Sequence, residues 1–259
     1  KQPSLLMMGS LVFMTSFGVW GMPQMVQKFY AIKDEKMIFR GAIITTIFSI
    51  VIAGAAYYNG ALTHVFFDSP LMGAKGPDFD RMIPEMLKAH LPESLMGVIL
   101  LLVLSASMST LSSLVLVSSS AVAIDMYKGH INPDISKKNS LAMMRFLSAI
   151  FVAFSFIVAK FELAIIVTLM SLSWGAVAGA FMAPFLYGLY WKRTSAIGVY
   201  AGMITGLVTS VGLFYYFGPA KSPLAASIGM IVPFFVIPVV SLLTPAPSRE
   251  ILTKAFDGI

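Results

Sequence analysis

Leu95-Met-Gly-Val-Ile-Leu-Leu-Leu-Val-Leu-Ser-Ala-Ser-Met-Ser-Thr-Leu-Ser-Ser-Leu-Val-Leu-Val-Ser-Ser-Ser-Ala-Val-Ala-Ile-Asp125 carries no charged side chain before its last residue. A membrane-spanning helix needs about 20 mostly apolar residues, so this run alone argues for a chain that crosses a bilayer. Its middle is unusual, because Ser105, Ser107, Ser109, Thr110, Ser112 and Ser113 place six hydroxyls within nine residues. On a helix turning roughly 100° per residue, Ser105, Ser109, Ser112 and Ser113 share one side, and Thr110 flanks them. Two readings stand beside each other. Small hydroxyl side chains hold membrane helices together, by close approach and by bonding across the contact or back to the i−4 carbonyl. Neutral oxygens at membrane depth also suit a small, hard monovalent cation, held weakly enough to leave again. Adjacent hydroxyls close around an ion only with an exposed carbonyl about one turn earlier, which for Ser109 and Thr110 is that of Ala106. One helix then supplies three ligands, and the others must come from a second, broken helix with free carbonyl ends.

The rest of the chain shares this character. Hydrophobic residues make up 58% and charged residues 12%, about half the charged fraction of a soluble domain, and the mean hydropathy is +0.84. The expected class is an all-α polytopic membrane protein in a lipid bilayer. Cysteine is absent, so disulfides and thiolate metal sites do not enter. The net charge of +6 is spread over short loops between apolar runs, which does not read as a nucleic-acid surface. Position 1 is Lys and no cleavable leader pattern follows, which reads as the C-terminal part of a longer protein.

Seven apolar segments are expected, at 5–20, 41–62, 94–126, 141–159, 163–190, 196–217 and 224–243. The first ends in Gly18-Val-Trp-Gly-Met-Pro23, whose Gly and Pro predict a bent or interrupted helix. The loop at 67–93 holds a stripe of Met82, Ile83, Met86 and Leu87. It reads as a short amphipathic helix, either over the mouth of a transporter or as ordinary interfacial cover. Residues 244–259 form a polar tail. Twelve Lys and Arg lie on one side of the spans: Lys28, Lys33, Lys36, Arg40, Lys128, Lys137, Lys138, Arg145, Lys192, Arg193, Arg249 and Lys254. Lys1, Lys75, Arg81, Lys88, Lys160 and Lys221 lie on the other. The excess predicts a cytoplasmic C-terminus, in a cell membrane.

No Asp, Glu, Lys, Arg or His falls clearly inside a span, whereas proton-driven carriers usually bury one. His64, His90 and His130 lie in loops without ligand spacing, and HExxH and GxSxG are both absent. These observations argue against enzyme chemistry.

The run from Ala106 to Ala121, followed by Asp125-Met-Tyr-Lys128, resembles the eighth core helix of the sodium–solute symporter family, which includes bacterial proline, pantothenate and sugar carriers. Gly21-Met-Pro23 and Lys28-Phe-Tyr resemble the Gly-x-Pro end of the sixth core helix and its basic loop. Trp174 and Pro184-Phe-Leu-Tyr-Gly-Leu-Tyr-Trp-Lys-Arg193 resemble the tenth and its exit, and Gly198-Val-Tyr-Ala-Gly-Met-Ile-Thr-Gly206 the start of the next. The matches run through nearly the whole chain in order.

The resemblance implies the second inverted repeat of the leucine-transporter fold plus two additional helices, with the N-terminal repeat missing from this sequence. It implies sodium as the coupling ion, at the Ala106 carbonyl, Ser109 Oγ and Thr110 Oγ1, and a small organic solute as the cargo. The solute is expected between Thr15, Val19, Trp20 and Pro23 on one side and Ser171, Ser173 and Trp174 on the other. Trp20 and Trp174 serve equally as interfacial or packing residues, and Pro23 as a bend. The proline-carrier pattern has Tyr where this chain has Val19. Gly18-Val-Trp-Gly-Met-Pro is closer to the pantothenate-type Gly-Val-Ile-Gly-Leu-Pro, so the expected solute is pantothenate-like or another carboxylate or amino acid. Related membrane domains are also fused to histidine kinases, so a symporter-like sensor module is the alternative; residues 244–259 carry no kinase or linker signature. A passive channel lacks a repeated filter-like loop.

Overall fold

The computed structural model describes residues 4–29, 32–73, 76–161 and 165–256. Lys1 and Lys75 of the charge pattern, Tyr30 of the basic loop, the expected start of the fifth span at 163 and the last three tail residues lie outside them. Among the described residues the regular structure is helical apart from a minimal antiparallel strand pair, Met72–Gly73 with Gly76–Pro77, and the helices are joined by short irregular connections. Among the described residues, six helices are long and apolar enough to cross a membrane, and a shorter apolar one covers Leu5–Gly21. The chain divides into two units, Lys1–Gly41 with Ile166–Ile259 and, separately, Ala42–Ile165.

In the first unit, α1 (Leu5–Phe17) starts at Ser4, whose hydroxyl accepts from the Met7 amide. It tightens into a 3-10 turn at Gly18–Gly21. Met22 is then extended, with φ −90° and ψ 115°, and α2 restarts at Pro23, where the missing N–H costs nothing. The interruption follows from these residues. A Cβ at Gly21 would lie 2.6 Å from the Ala178 Cα, so only glycine lets this turn rest on α7 (Ile166–Tyr190).

α7, α8 (Ala196–Phe217) and α9 (Ser222–Leu243) form the densest packing of this unit. α8 buries a stripe at every fourth residue: Gly198, Gly202, Gly206 and Ser210. α9 answers in antiparallel register. Ser241 sits over Gly198, Ile237 over Gly202, Pro233 over Gly206 and Gly229 over Ser210. Without water to drive helix association, close approach of small residues holds such helices together. Ser210 also donates to the Gly175 carbonyl of α7 at 2.7 Å. Met14, Ala178, Met182, Ala226 and Met230 make the apolar core where α1 meets α7 and α9, and Ser227 donates to the Ser10 carbonyl at 2.9 Å. At the far end, Ser195, Ser241 and Thr244 form a hydroxyl cluster. Arg193 donates there to the Thr244 carbonyl at 2.8 Å, which suits a cation at a helix C-terminus.

The second unit contains α3 from Ala42 onward (Glu35–Phe66 in full), α4 (Met82–His90), α5 (Glu93–Ser120) and α6 (Lys137–Lys160). In α4, Met82 and Met86 turn inward while Ile83 is exposed, so the inward stripe is narrower than the four-residue pattern. The α5–α6 contact is fastened by Ser148 donating to the fully buried Ser119 at 3.0 Å. The apolar faces of α3, α5 and α6 are otherwise almost bare.

Candidate functional site

The hydroxyl run stands on α5, where helical geometry decides where each oxygen goes. Ser109 Oγ donates to the Ala106 carbonyl at 3.0 Å, and Thr110 Oγ1 donates to the same oxygen at 3.1 Å. Three neutral oxygens are thus gathered at one point by residues three and four positions apart. Ser112 and Ser113 instead bond separate carbonyls, of Met108 at 2.7 Å and of Ser109 at 3.0 Å. Ala106, Ser109 and Thr110 are all exposed, and Ala106, Ser107, Thr110, Leu111 and Leu114 line an open groove along this face.

The arrangement fits one side of a cation cage. Without an ion, the hydroxyl protons point at the carbonyl; with one, they can rotate away and turn lone pairs toward the charge. The same heavy-atom positions also describe ordinary back-bonding of Ser and Thr in a helix. The hydroxyl that joins α5 to α6 is Ser119, about two to four turns away from the central cluster. Helix gluing and the three-oxygen grouping are therefore carried by different residues of α5.

Beyond Ser120 the helix changes register. Ala121–Ile131 is a π-helix, and its i→i−5 bonding continues to Asn132, whose amide donates to the Tyr127 carbonyl at 2.8 Å. The His130 ring nitrogen lies 3.0 Å from the Asp125 carbonyl in the same register. Such segments often accompany functional sites. Nothing in the residue pattern announced it.

The expected solute residues all lie in the first unit. Thr15 is half-buried and donates to the Leu11 carbonyl at 2.9 Å. Val19 and Trp20 sit on the 3-10 turn, Val19 half-buried and Trp20 55% exposed, with the Trp20 ring edge-on to Phe17. Pro23 is exposed at the start of α2. On α7, Ser171 is buried and donates to the Val167 carbonyl at 2.7 Å, whereas Ser173 is exposed on another face. Trp174 is half-buried against the Met14–Met230 core. A Cβ at Gly18 would lie 3.3 Å from its ring, so Trp174 and the α1 turn are neighbours. The structure thus brings Trp174 to the interruption in α1 and turns Ser173 away from Ser171. The glycines that allow this approach, Gly18 and Gly21, were visible as helix breakers; their role as contact points was not.

A family model described as "Sodium:solute symporter family" matches residues 3–206. Similar curated proteins include a sodium/proline symporter of Haemophilus influenzae, 29% identical over 93% of this chain and 48% of its own length. A high-affinity proline transporter, PutP, of Bacillus subtilis is 29% identical over 95% and 51%. A sodium/pantothenate symporter of Haemophilus influenzae is 28% identical over 77% and 40%. The chain spans about half the length of the curated relatives it matches. No solved structure matches.

Proposed function

The chain belongs to the sodium:solute symporter family, and from that premise we propose that it is the sodium-binding part of a carrier that brings a small organic solute into the cell with sodium. The observation that carries this reading is the convergence of Ser109 Oγ and Thr110 Oγ1 on the Ala106 carbonyl in an exposed groove. Sodium is cargo here. Its remaining ligands come from chain outside this sequence, in a first repeat related to this one by inverted topology. The tail lies in the cytoplasm, following the Lys and Arg excess.

Coupling requires that sodium bind one conformation better than another. An ion held between α5 and a helix of the first repeat meets that requirement, because rocking the two apart dismantles the cage. Sodium therefore stabilises the outward-open form. The solute then binds near the broken end of α1, beside Trp20 and Trp174, with Thr15, Val19, Pro23 and Ser171 as further wall, Ser173 being turned to another face. Sodium leaves first into a low-sodium cytoplasm. The relatives named for proline and pantothenate favour an amino acid or a carboxylate as the solute. The test is uptake by the full-length protein in proteoliposomes. Radiolabelled proline, pantothenate, short monocarboxylates and sugars are offered under sodium, potassium and proton gradients. Sodium-driven accumulation of one solute is expected; accumulation driven by protons alone would contradict the proposal.

A further inference from the structure

The last turn of α7 and the second half of α9 form a corner of the first unit that transport, as argued above, does not use. An open groove of about 380 Å³ there is lined by Leu186, Tyr187, Tyr190, Trp191, Phe234 and Pro238. Its apolar character has a structural cause. Pro238 has no N–H to offer the Phe234 carbonyl four residues earlier, and Tyr187 Oη donates to that carbonyl at 2.8 Å. The two polar groups satisfy each other, which leaves hydrocarbon and ring faces in the groove. Tyr190 is 81% exposed at the very end of its span, with Trp191 beside it. Aromatic rings at that position sit at the level of lipid headgroups.

The next two residues are cations. Lys192 Nζ lies 5.3 Å from the centroid of the Phe256 ring. Arg193 uses Nη2 on the Thr244 carbonyl, while its Nη1 is buried without a hydrogen-bond partner among the described residues. A guanidinium N–H left so is costly, and being buried it offers no surface to a ligand, so Arg193 contributes its charge rather than a contact. We propose that this corner binds an anionic phospholipid, with an acyl chain along the aromatic groove and the phosphate against the exposed Lys192, Arg193 adding its charge from the next position. Basic pockets beside membrane helices recognise acidic headgroups in this way. The groove alone would accept any lipid chain; the cations select the charge.

The test follows the melting temperature of the full-length protein in detergent as phosphatidylglycerol, phosphatidylcholine or glycerol 3-phosphate is titrated in. Phosphatidylglycerol is expected to stabilise most, phosphatidylcholine less, and the free headgroup not at all. Lys192→Gln should weaken the phosphatidylglycerol titration about fivefold, the effect of one basic charge near a lipid surface, and Lys192→Arg should restore it. If Lys192→Gln does not fold, the wild-type protein in high salt decides, because screening must erase the preference for the anionic lipid. Equal stabilisation by both lipids, a Lys192→Gln titration like wild type, a preference unmoved by salt, or stabilisation by glycerol 3-phosphate alone would each overturn the proposal.

Discussion

Replacing Tyr187 by Phe removes the hydroxyl that stands in for the amide missing at Pro238. The Phe234 carbonyl is left without that donor in a partly buried, apolar corner. An orphaned buried acceptor costs about 1–3 kcal/mol, and hydrogen bonds between membrane helices average ~0.6 kcal/mol with a maximum near ~1.7. Because the two groups are half-buried rather than sealed, the expected loss is about 1–1.7 kcal/mol, the upper part of the membrane range. Pro238→Ala supplies the amide that a regular helix would use. In that background Tyr187→Phe should therefore cost less than half as much, giving a coupling near ~1 kcal/mol. The assay is the unfolding free energy of the four proteins of this cycle, measured by denaturing-detergent titration in mixed micelles. Additivity within about 0.3 kcal/mol would refute the claim that the tyrosine replaces the proline's missing amide.

Two further perturbations test the packing. A methyl at Gly206 would collide with the Gly179 carbonyl and lie 2.8 Å from the Pro233 Cγ, so Gly206→Ala should destabilise by at least about 1–3 kcal/mol. Gly212→Ala on the same helix meets nothing within 4 Å and should be neutral or slightly stabilising in the same thermal melts; equal effects at the two positions would contradict the α8–α9 register. Ser119→Ala should cost about 0.6–1.7 kcal/mol through loss of the Ser148 contact, and adding Ser148→Ala should cost little more. A full second penalty would show that the two hydroxyls act independently.

What the residues revealed in advance divides along a physical line. Local signals were readable: the uncharged length of α5, the hydroxyl spacing that sets Ser109 and Thr110 one turn after Ala106, and the Gly and Pro that interrupt α1. Each depends on residues within a turn or two of one another. Contacts between distant segments were not. Tyr187 and Phe234 are 47 positions apart, and nothing in either neighbourhood names the other, although Pro238 marks a freed carbonyl. Gly198, Gly202 and Gly206 stood in the sequence at packing spacing and were read only as part of a family resemblance; their four-residue period was the signal for the α8–α9 seam. The inward turn of Ser171 and the outward turn of Ser173 depend on helix phase against neighbours, which residue type alone does not set. The π register after Ser120 has no compositional mark at all.

The central claim is that Ser109, Thr110 and the Ala106 carbonyl hold the coupling ion. The measurement is the sodium dependence of initial uptake at saturating solute, in full-length protein, for wild type, Ser109→Ala, Thr110→Ala and Ser113→Ala. Loss of one ligand oxygen to a charged group is worth about 1.5–3 kcal/mol, so the first two substitutions should raise the half-saturating sodium concentration about tenfold or more. Solute affinity at saturating sodium should move far less. Ser113, which bonds the Ser109 carbonyl rather than the shared oxygen, should leave the curve in place. Sodium curves that superimpose for wild type and Thr110→Ala would show that the three oxygens only satisfy one another, and that the ion binds elsewhere.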